Sequence, residues 1–160
     1  MPDNSKEKIL SILQDVCDPE IPVLSILDMG IIRDIKINGE ELEVVITPTY
    51  SGCPAMDAIS MDIRLKLIEH GYNKIKITSV LSPAWTTDWM SEDGKRKLKE
   101  YGIAPPGNLS GHLKWPDKLP SCPQCNSANT KLLSQFGSTA CKALYQCNDC
   151  KEPFDYFKCH

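Results

Sequence analysis

The chain has 160 residues, enough for one medium-sized domain and one small module, since a compact core most often spans about 100 to 150 residues. Its 18 basic and 21 acidic residues give a net charge of −3, without a basic run. This balance argues against a nucleic-acid-binding scaffold. Because the N-terminus has no apolar run of signal-peptide length, we expect a cytoplasmic protein without a membrane anchor. In a reducing compartment, the eight cysteines are expected to be metal ligands or working thiols.

The first half of the chain alternates between helix and strand patterns. Residues 5–17 carry apolar side chains at helical spacing and stop before Pro19, which predicts an amphipathic helix. Two alternating runs over 30–49 surround Asn38-Gly39, a dipeptide favoured in tight hairpin turns. The sequence therefore predicts a helix followed by a β-hairpin.

Three further elements complete the predicted first domain. Residues 54–71 begin at a proline and end at a glycine, as helices do, and 74–81 read as a strand. A shorter helix is predicted over 91–102. This order predicts an α+β fold, a small mixed α/β sandwich over residues 1–103. Residues 104–120, rich in proline and glycine, are predicted to be a linker to a module at 121–160.

Cys53 is the first candidate functional residue. It precedes Pro54, and proline is favoured at the first position of a helix, so Cys53 is predicted at the helix N-cap. Unpaired amide groups there stabilise a thiolate, and Thr47 and Thr49 add hydroxyls before the loop. The pattern favours a reactive thiol or a soft-metal ligand, with a small buried cysteine as the alternative. No histidine lies near it in sequence to act as a base.

The most specific pattern in the chain is a pair of CxxC motifs at 122–125 and 147–150. Four thiolates in two such pairs give tetrahedral coordination, which suits structural zinc. A module of this size is too small to fold on an apolar core alone. The sequence therefore predicts a zinc ribbon, with strands within 132–136, 142–146 and 152–158 and with the ligands Cys122, Cys125, Cys147 and Cys150.

Cys141, Cys159 and His160 form a possible second thiol or metal site. If the hairpin around the second CxxC motif pairs Cys147 with Pro153, Cys141 lies opposite Cys159. A slip of one residue would place these two side chains on opposite faces. With the predicted register, a reducible disulfide, part of a transient iron or iron-sulfur site, and a plain thiol pair all stay open.

The first domain resembles a known family through DPEIPVLSILDMGII at 18–32, TPTYSGCP at 47–54 and LSPAWTTDWMSEDGKRKL at 81–98. These stretches are similar to the small domain of SufT-like and other iron-sulfur assembly proteins. The resemblance implies that the Cys53 loop faces the turn containing Asp18 and Glu20, so these residues and Thr49 would share a site for thiol or metal transfer. Many members carry a second threonine and a proline where this chain has Tyr50 and Ser51.

Two groups of these residues also have a structural interpretation. An Asp-Pro-Glu turn after a helix caps a chain reversal, so Asp18 and Glu20 could serve the fold alone. Trp85 and Trp89 are expected in the core or on a dimer surface.

The cysteine-rich module narrows the resemblance. A domain of this type followed by CPQC, FGSTACKALYQC, CNDC and EPFDYFKC resembles the PaaD (or PaaJ) family, which accompanies the phenylacetyl-CoA epoxidase of bacterial phenylacetate degradation. The resemblance implies a non-enzymatic subunit or maturation factor that assists assembly of an iron-sulfur or di-iron centre. The sequence itself lacks a Glu-x-x-His di-iron set and a dinucleotide-binding glycine motif.

The resemblance also implies particular cofactors and partners. Zinc would be structural, and an iron ion or an iron-sulfur cluster would bind transiently. The expected partners are epoxidase subunits or the iron-sulfur assembly machinery, with a second copy of the chain as a further partner. A structural adaptor in which Cys53 is inert, and a thiol enzyme, stand as the alternatives.

Overall fold

The computed structural model describes residues 5–49, 55–105, 119–137 and 142–157. The chain divides into two compact units. The first comprises the described residues up to Trp85 together with Trp89–Ser91, and the second comprises Thr86–Asp88 and the described residues from Glu92 onward. Within these described ranges, no helix is long and apolar enough to span a membrane.

The first unit is a three-stranded sheet with helices. Its helices are α1 (Lys6–Leu13), α2 (Ile26–Met29) and α3 (Ala55–Glu69), and its strands are β1 (Ile32–Asn38), β2 (Glu41–Ile46) and β3 (Lys74–Ser79). The sheet order is β1-β2-β3, with β1 antiparallel and β3 parallel to β2. The predicted hairpin at Asn38-Gly39 joins β1 to β2, and α3 makes the crossover that a parallel pair requires.

Side-chain periodicity explains where the core of this unit lies. On β2, alternate residues point to one face and are almost fully buried, namely Leu42, Val44 and Ile46. The buried residues of α3 recur every four positions, as expected for one helical face: Ala55, Ile59, Ile63 and Leu67. Ser5 caps α1 by accepting a hydrogen bond from the Lys8 backbone N–H at 3.3 Å. The apolar face of the sheet and one face of each long helix therefore form the core.

The second unit contains α4 (Glu92–Glu100) and four strands, β4 (Ile103–Ala104), β5 (Thr130–Ser134), β6 (Lys142–Cys147) and β7 (Pro153–Phe157). Its sheet order is β4-β7-β6-β5. A short 3-10 helix, Thr87–Trp89, precedes α4 in the chain.

The division into units differs from the predicted boundary after residue 103, which assigned the last helix to the first domain. The reason is strand pairing, since Ile103 lies opposite Asp155 and Ala104 opposite Tyr156, parallel to β7. These two residues are buried, and Ala104 belongs to the same apolar cluster as the ribbon strands. Residues that the sequence placed at the end of one domain and in the linker thus extend the ribbon sheet.

The predicted register of the second hairpin is wrong by one residue. Tyr145 lies opposite Phe154 rather than Asp155, and Gln146 lies opposite Pro153. The turn is one residue shorter than assumed, because the backbone N–H of Cys147 donates to the Glu152 carbonyl at 3.0 Å and Glu152, rather than Pro153, therefore lies opposite Cys147. The predicted approach of Cys141 to Cys159 relied on the other register. Those two cysteines, and His160, lie outside the described residues.

Close contacts hold Trp85 and the segment Trp89–Ser91 against the end of α2. The indole N–H of Trp85, a buried side chain, donates to the Met29 carbonyl at 2.8 Å. The Ser91 hydroxyl donates to the Asp28 carboxylate at 2.8 Å. Gly30, which ends α2 with a φ of 74°, lies so close that an added Cβ would be 2.2 Å from the Trp89 carbonyl oxygen. Trp85 therefore contributes to the core of the first unit, whereas Trp89 is half-buried and its ring contacts the guanidinium of the exposed Arg33.

Replacing Gly30 with alanine should lower the free energy of unfolding by at least about 2 kcal/mol, because a left-handed φ and a backbone clash add together. Gly39→Ala is the matched control, since Gly39 has a φ of 64° and an added Cβ there meets nothing within 4 Å. The control should lose only about 1 kcal/mol. Urea unfolding of both variants measures the difference, and equal losses would contradict the close contact.

Candidate metal centre and thiol site

The four CxxC cysteines converge on one point in the second unit. All four sulfur atoms lie within 4.8 Å of one another, and the Cys122–Cys150 and Cys125–Cys147 pairs are each 3.6 Å apart. These separations are far longer than a disulfide bond of about 2.05 Å. A tetrahedral zinc ion with Zn–S bonds of about 2.3 Å would hold its sulfurs about 3.8 Å apart. The cluster therefore fits a metal ion.

The two CxxC loops fold in the same way, which explains the convergence. In each loop, the backbone N–H of the first cysteine donates to the carbonyl five residues later, from Cys122 to Ser127 at 2.9 Å and from Cys147 to Glu152 at 3.0 Å. The residue after each motif, Asn126 or Lys151, has a positive φ of 62° or 67°. Positive φ is uncommon outside glycine, and here it reverses the chain so that both thiols of a motif point to one side.

Polar side chains tie the two loops together. The Asp149 carboxylate accepts hydrogen bonds from the Ser127 hydroxyl and, at 3.4 Å, from the Asn129 amide. The Asn148 side-chain amide donates to Asn129 Oδ1 at 2.9 Å, and the Asn148 backbone N–H donates to the Asn129 carbonyl at the same distance. We call these four residues the polar clamp. Sequence reasoning missed it, although its members lie inside or just after the CxxC motifs.

Without a metal, the thiols of the cluster have very different proton affinities. The backbone N–H of Cys150 is the main reason that the pKa of Cys147 falls to about 7. The backbone N–H of Glu152 lowers the pKa of Cys150, but burial and the neighbouring thiols outweigh it and raise that pKa to about 12. One thiolate thus forms easily and a further one does not. Near neutral pH, the positive charge of a metal ion would favour ionisation of the whole cluster.

The cluster is continuous with the small core of the ribbon. Cys122 and Cys147 are fully buried and belong to the apolar cluster that contains Tyr145 and its two aromatic neighbours. The ring centroid of Tyr145 lies 6.0 Å from that of Phe154 and 5.7 Å from that of Tyr156. Metal ligands and aromatic rings therefore stabilise the same set of strands.

The second candidate site is less completely described, because Cys53 lies in residues 50–54, outside the described residues. The residues on either side of this gap are described. Thr47 and Thr49 follow β2 and are both buried, and α3 begins at Ala55. Within the described part of the chain, Thr47 Oγ1 is a buried oxygen that has no hydrogen-bond partner. A buried hydroxyl of this kind usually has a partner, so a ligand or loop group is its natural complement.

Asp18 and Glu20 occupy a tight turn. Asp18 is 7% exposed, and its Oδ1 accepts hydrogen bonds from the backbone N–H groups of Glu20 at 2.7 Å and Ile21 at 3.1 Å. This arrangement supports the structural interpretation, in which Asp18 caps a chain reversal. The Glu20 side chain is half-buried. An approach of the Cys53 loop to this turn stays a prediction.

Loss of a cluster thiol should abolish metal binding, because three thiolates no longer close the site. Cys147→Ser is expected to reduce zinc from about one ion per chain to a tenth of that or less. Cys17→Ser is the control, since Cys17 is a half-buried cysteine of the other unit and lies outside the cluster. Elemental analysis after gel filtration measures the difference. Equal zinc content in the two variants would contradict the four-cysteine site.

Comparison with known proteins gives a family for each part of the chain. The family described as "Iron-sulfur cluster assembly protein" matches residues 6–76, and the "PaaD zinc beta ribbon domain" matches residues 110–158. A solved structure of a domain of unknown function, DUF59, from Bacillus anthracis has a TM-score of 0.54 and 27% identity. That match covers 58% of this chain and 90% of the other. The fold of the first unit is thus shared with the DUF59 domain.

Two curated relatives extend this result. An "Fe-S protein maturation auxiliary factor" from Porphyromonas gingivalis is 35% identical over 96 residues, which are 59% of this chain and 90% of that protein. A protein of Escherichia coli K12, named as one of the subunits of a "Putative 1,2-phenylacetyl-CoA epoxidase", is 49% identical over 152 residues. That alignment spans 95% of this chain and 92% of the relative. With both parts matched in order and nearly full length covered, this chain belongs to the PaaD family.

Proposed function

We propose that this protein is an accessory factor for a phenylacetyl-CoA epoxidase and assists assembly of its iron-sulfur or di-iron centre. The proposal rests on the similarity of this chain to two kinds of relative. The relative matched over nearly the whole chain is named for that epoxidase, and the relative matched over 96 residues is named for iron-sulfur protein maturation. The epoxidase subunits are then the recipients, and the chain supplies binding and transfer rather than a reaction of its own.

The ribbon has a structural part in this proposal. Zinc is the expected ion at the four cysteines, because closed tetrahedral sites with four thiolates are typical of structural zinc. Two of the ligands, Cys122 and Cys147, are fully buried, and the polar clamp fixes both loops. An ion held in this way stabilises the fold and is released slowly. The transferred metal therefore binds elsewhere.

Cys53 is the proposed point of exchange. It lies two residues before α3, a helix of 15 residues whose N-terminal partial charge favours a thiolate over a thiol. The incoming iron or cluster is the substrate: the Cys53 thiolate binds it, and a ligand of the recipient protein then replaces the thiolate. A proton leaves Cys53 on binding and returns on release.

Thr47 is the proposed supporting group. Its buried hydroxyl, which lacks a partner within the described ranges, is free to donate a hydrogen bond to a sulfur atom of the loop or the cargo. Such a bond would favour the thiolate form without binding the metal itself. Asp18 and Glu20 are kept as proposed neighbours of the loop, as the family resemblance implies.

The metal content of cysteine variants tests this function. After anaerobic reconstitution with iron and sulfide, the wild-type protein and the Cys17→Ser control should hold iron in addition to about one zinc per chain. Cys53→Ser should keep the zinc and lose at least about 90% of the iron, because the exchangeable thiolate is gone. If no variant takes up iron, the structural-adaptor alternative replaces the proposal.

A further inference from the structure

The outer edge of β3 presents backbone groups that have no partner among the described strands. The backbone N–H of Val80 donates to the Ile46 carbonyl at 2.9 Å, so Val80 faces β2. Because alternate residues of a strand face the same neighbour, the N–H and C=O groups of Ile77 and Ser79 point away from β2. Arg64 Nη1 reaches the Ile75 carbonyl at 2.9 Å from that outer side, which agrees with this alternation. In the described part of the chain, β3 is thus an edge of its sheet.

A groove runs between this edge and α3. Its volume is about 360 Å³, and it is lined by Ile46, Ile77 and Ser79 from the sheet and by Asp57, Ser60, Met61 and Arg64 from the helix. The side chains of Ile77 and Ser79 lie on the face of the sheet that α3 covers, whereas those of Lys74 and Lys76 lie on the opposite face. Lysine side chains often protect an edge strand from pairing with another chain. Here they lie on the face away from α3, so they do not cover the α3 side of the β3 edge.

Exposed apolar side chains continue the groove along α3. Met61, Leu65 and Ile68 are 55%, 51% and 46% exposed, and their spacing of four and three residues places them on one helical face. This face lies opposite the buried one formed by Ile59, Ile63 and Leu67. A helix with two apolar faces buries one in its own core, so the second is available to another chain.

The charges of the groove indicate what kind of chain it suits. Asp57 is exposed and forms no ion pair with any described residue. The Arg64 guanidinium, by contrast, is already bonded to the Ile75 carbonyl. A hydrogen bond to a neutral carbonyl leaves the positive charge of Arg64 in place, so the groove lining includes one charge of each sign, and a basic side chain in the bound segment would complement Asp57.

We propose that this groove binds an extended segment of a partner protein, which adds to β3 as a fourth strand. Its backbone would exchange hydrogen bonds with Ile77 and Ser79, and apolar side chains at alternate positions would contact Met61 and Ile77. A basic side chain of the segment would face Asp57. Binding of this kind is independent of the proposed metal transfer, since it uses neither Cys53 nor the ribbon.

A synthetic peptide tests the groove in the full zinc-loaded chain. The probe is a capped heptapeptide of valines alternating with lysines and threonines, titrated into isotope-labelled protein and followed by amide NMR. The expected result is binding with amide shifts centred on β3, and at least about tenfold slower hydrogen exchange of the Ile77 and Ser79 amides, because they become hydrogen-bonded. Absence of binding at about 1 mM peptide, the weak limit for a specific contact, would overturn the proposal.

Matched controls distinguish strand addition from non-specific apolar binding. Met61→Glu should weaken binding at least about tenfold, whereas Leu133→Glu, a similarly exposed leucine of the ribbon, should leave it unchanged. Asp57→Lys should reverse the preference between this peptide and one with glutamates in place of lysines. A peptide N-methylated at its edge-facing amides should not bind, because it lacks the required donors.

Three results would contradict the inference. Equal binding of the N-methylated peptide would mean that no strand is added. Equal loss in the Met61 and Leu133 variants would mean that the contact is unspecific. Finally, if sedimentation shows a dimer and the β3 amides are already protected without peptide, the occupant is a second copy of the chain rather than a partner segment.

Discussion

Four thiols meeting at one point are the constraint on which the second unit depends. Full ionisation of the cluster without a cation is unfavourable, as the pKa of about 12 at Cys150 indicates, and two of the sulfurs are buried in the same cluster as Tyr145. A metal ion therefore stabilises the cluster and the strands together. The pairing of β4 with β7 brings residues from the other side of the linker into the same sheet. Loss of the ion should therefore destabilise all strands of the ribbon sheet.

The proposed thiol site of the first unit lies at the end of its central strand. Strand β2 is bonded on both sides, so the position where it ends is well fixed, and Thr47 and Thr49 are buried there. The chain then passes Cys53 and enters α3, whose N-terminus favours negative charge. The end of a paired strand and a helix N-terminus therefore flank Cys53 in the sequence, the proposed site at which a metal is bound and released. In the ribbon, by contrast, two of the four candidate ligands, Cys122 and Cys147, are fully buried.

Local sequence signals predicted much of this architecture. Asn38-Gly39 specified the first hairpin, and the two CxxC motifs specified the metal cluster, because turn chemistry and ligand spacing are local properties. The register of the second hairpin was missed, since a turn shorter by one residue changes which residues of the two strands face each other. The pairing of Ile103 and Ala104 with β7 was also missed, because two residues carry no periodicity and their partners lie about 50 positions away. The polar clamp and the β3 groove depend on tertiary contacts in the same way.

The most direct test of the account is the iron content and turnover of the phenylacetyl-CoA epoxidase, purified from cells that produce either the wild-type chain or Cys53→Ser at equal levels. We predict that the epoxidase from Cys53→Ser cells has its normal subunits but is deficient in iron and activity, and that adding iron or a reconstituted cluster restores both. An epoxidase with full iron content and full turnover in those cells would contradict the proposed role of this chain in assembling the metal centre.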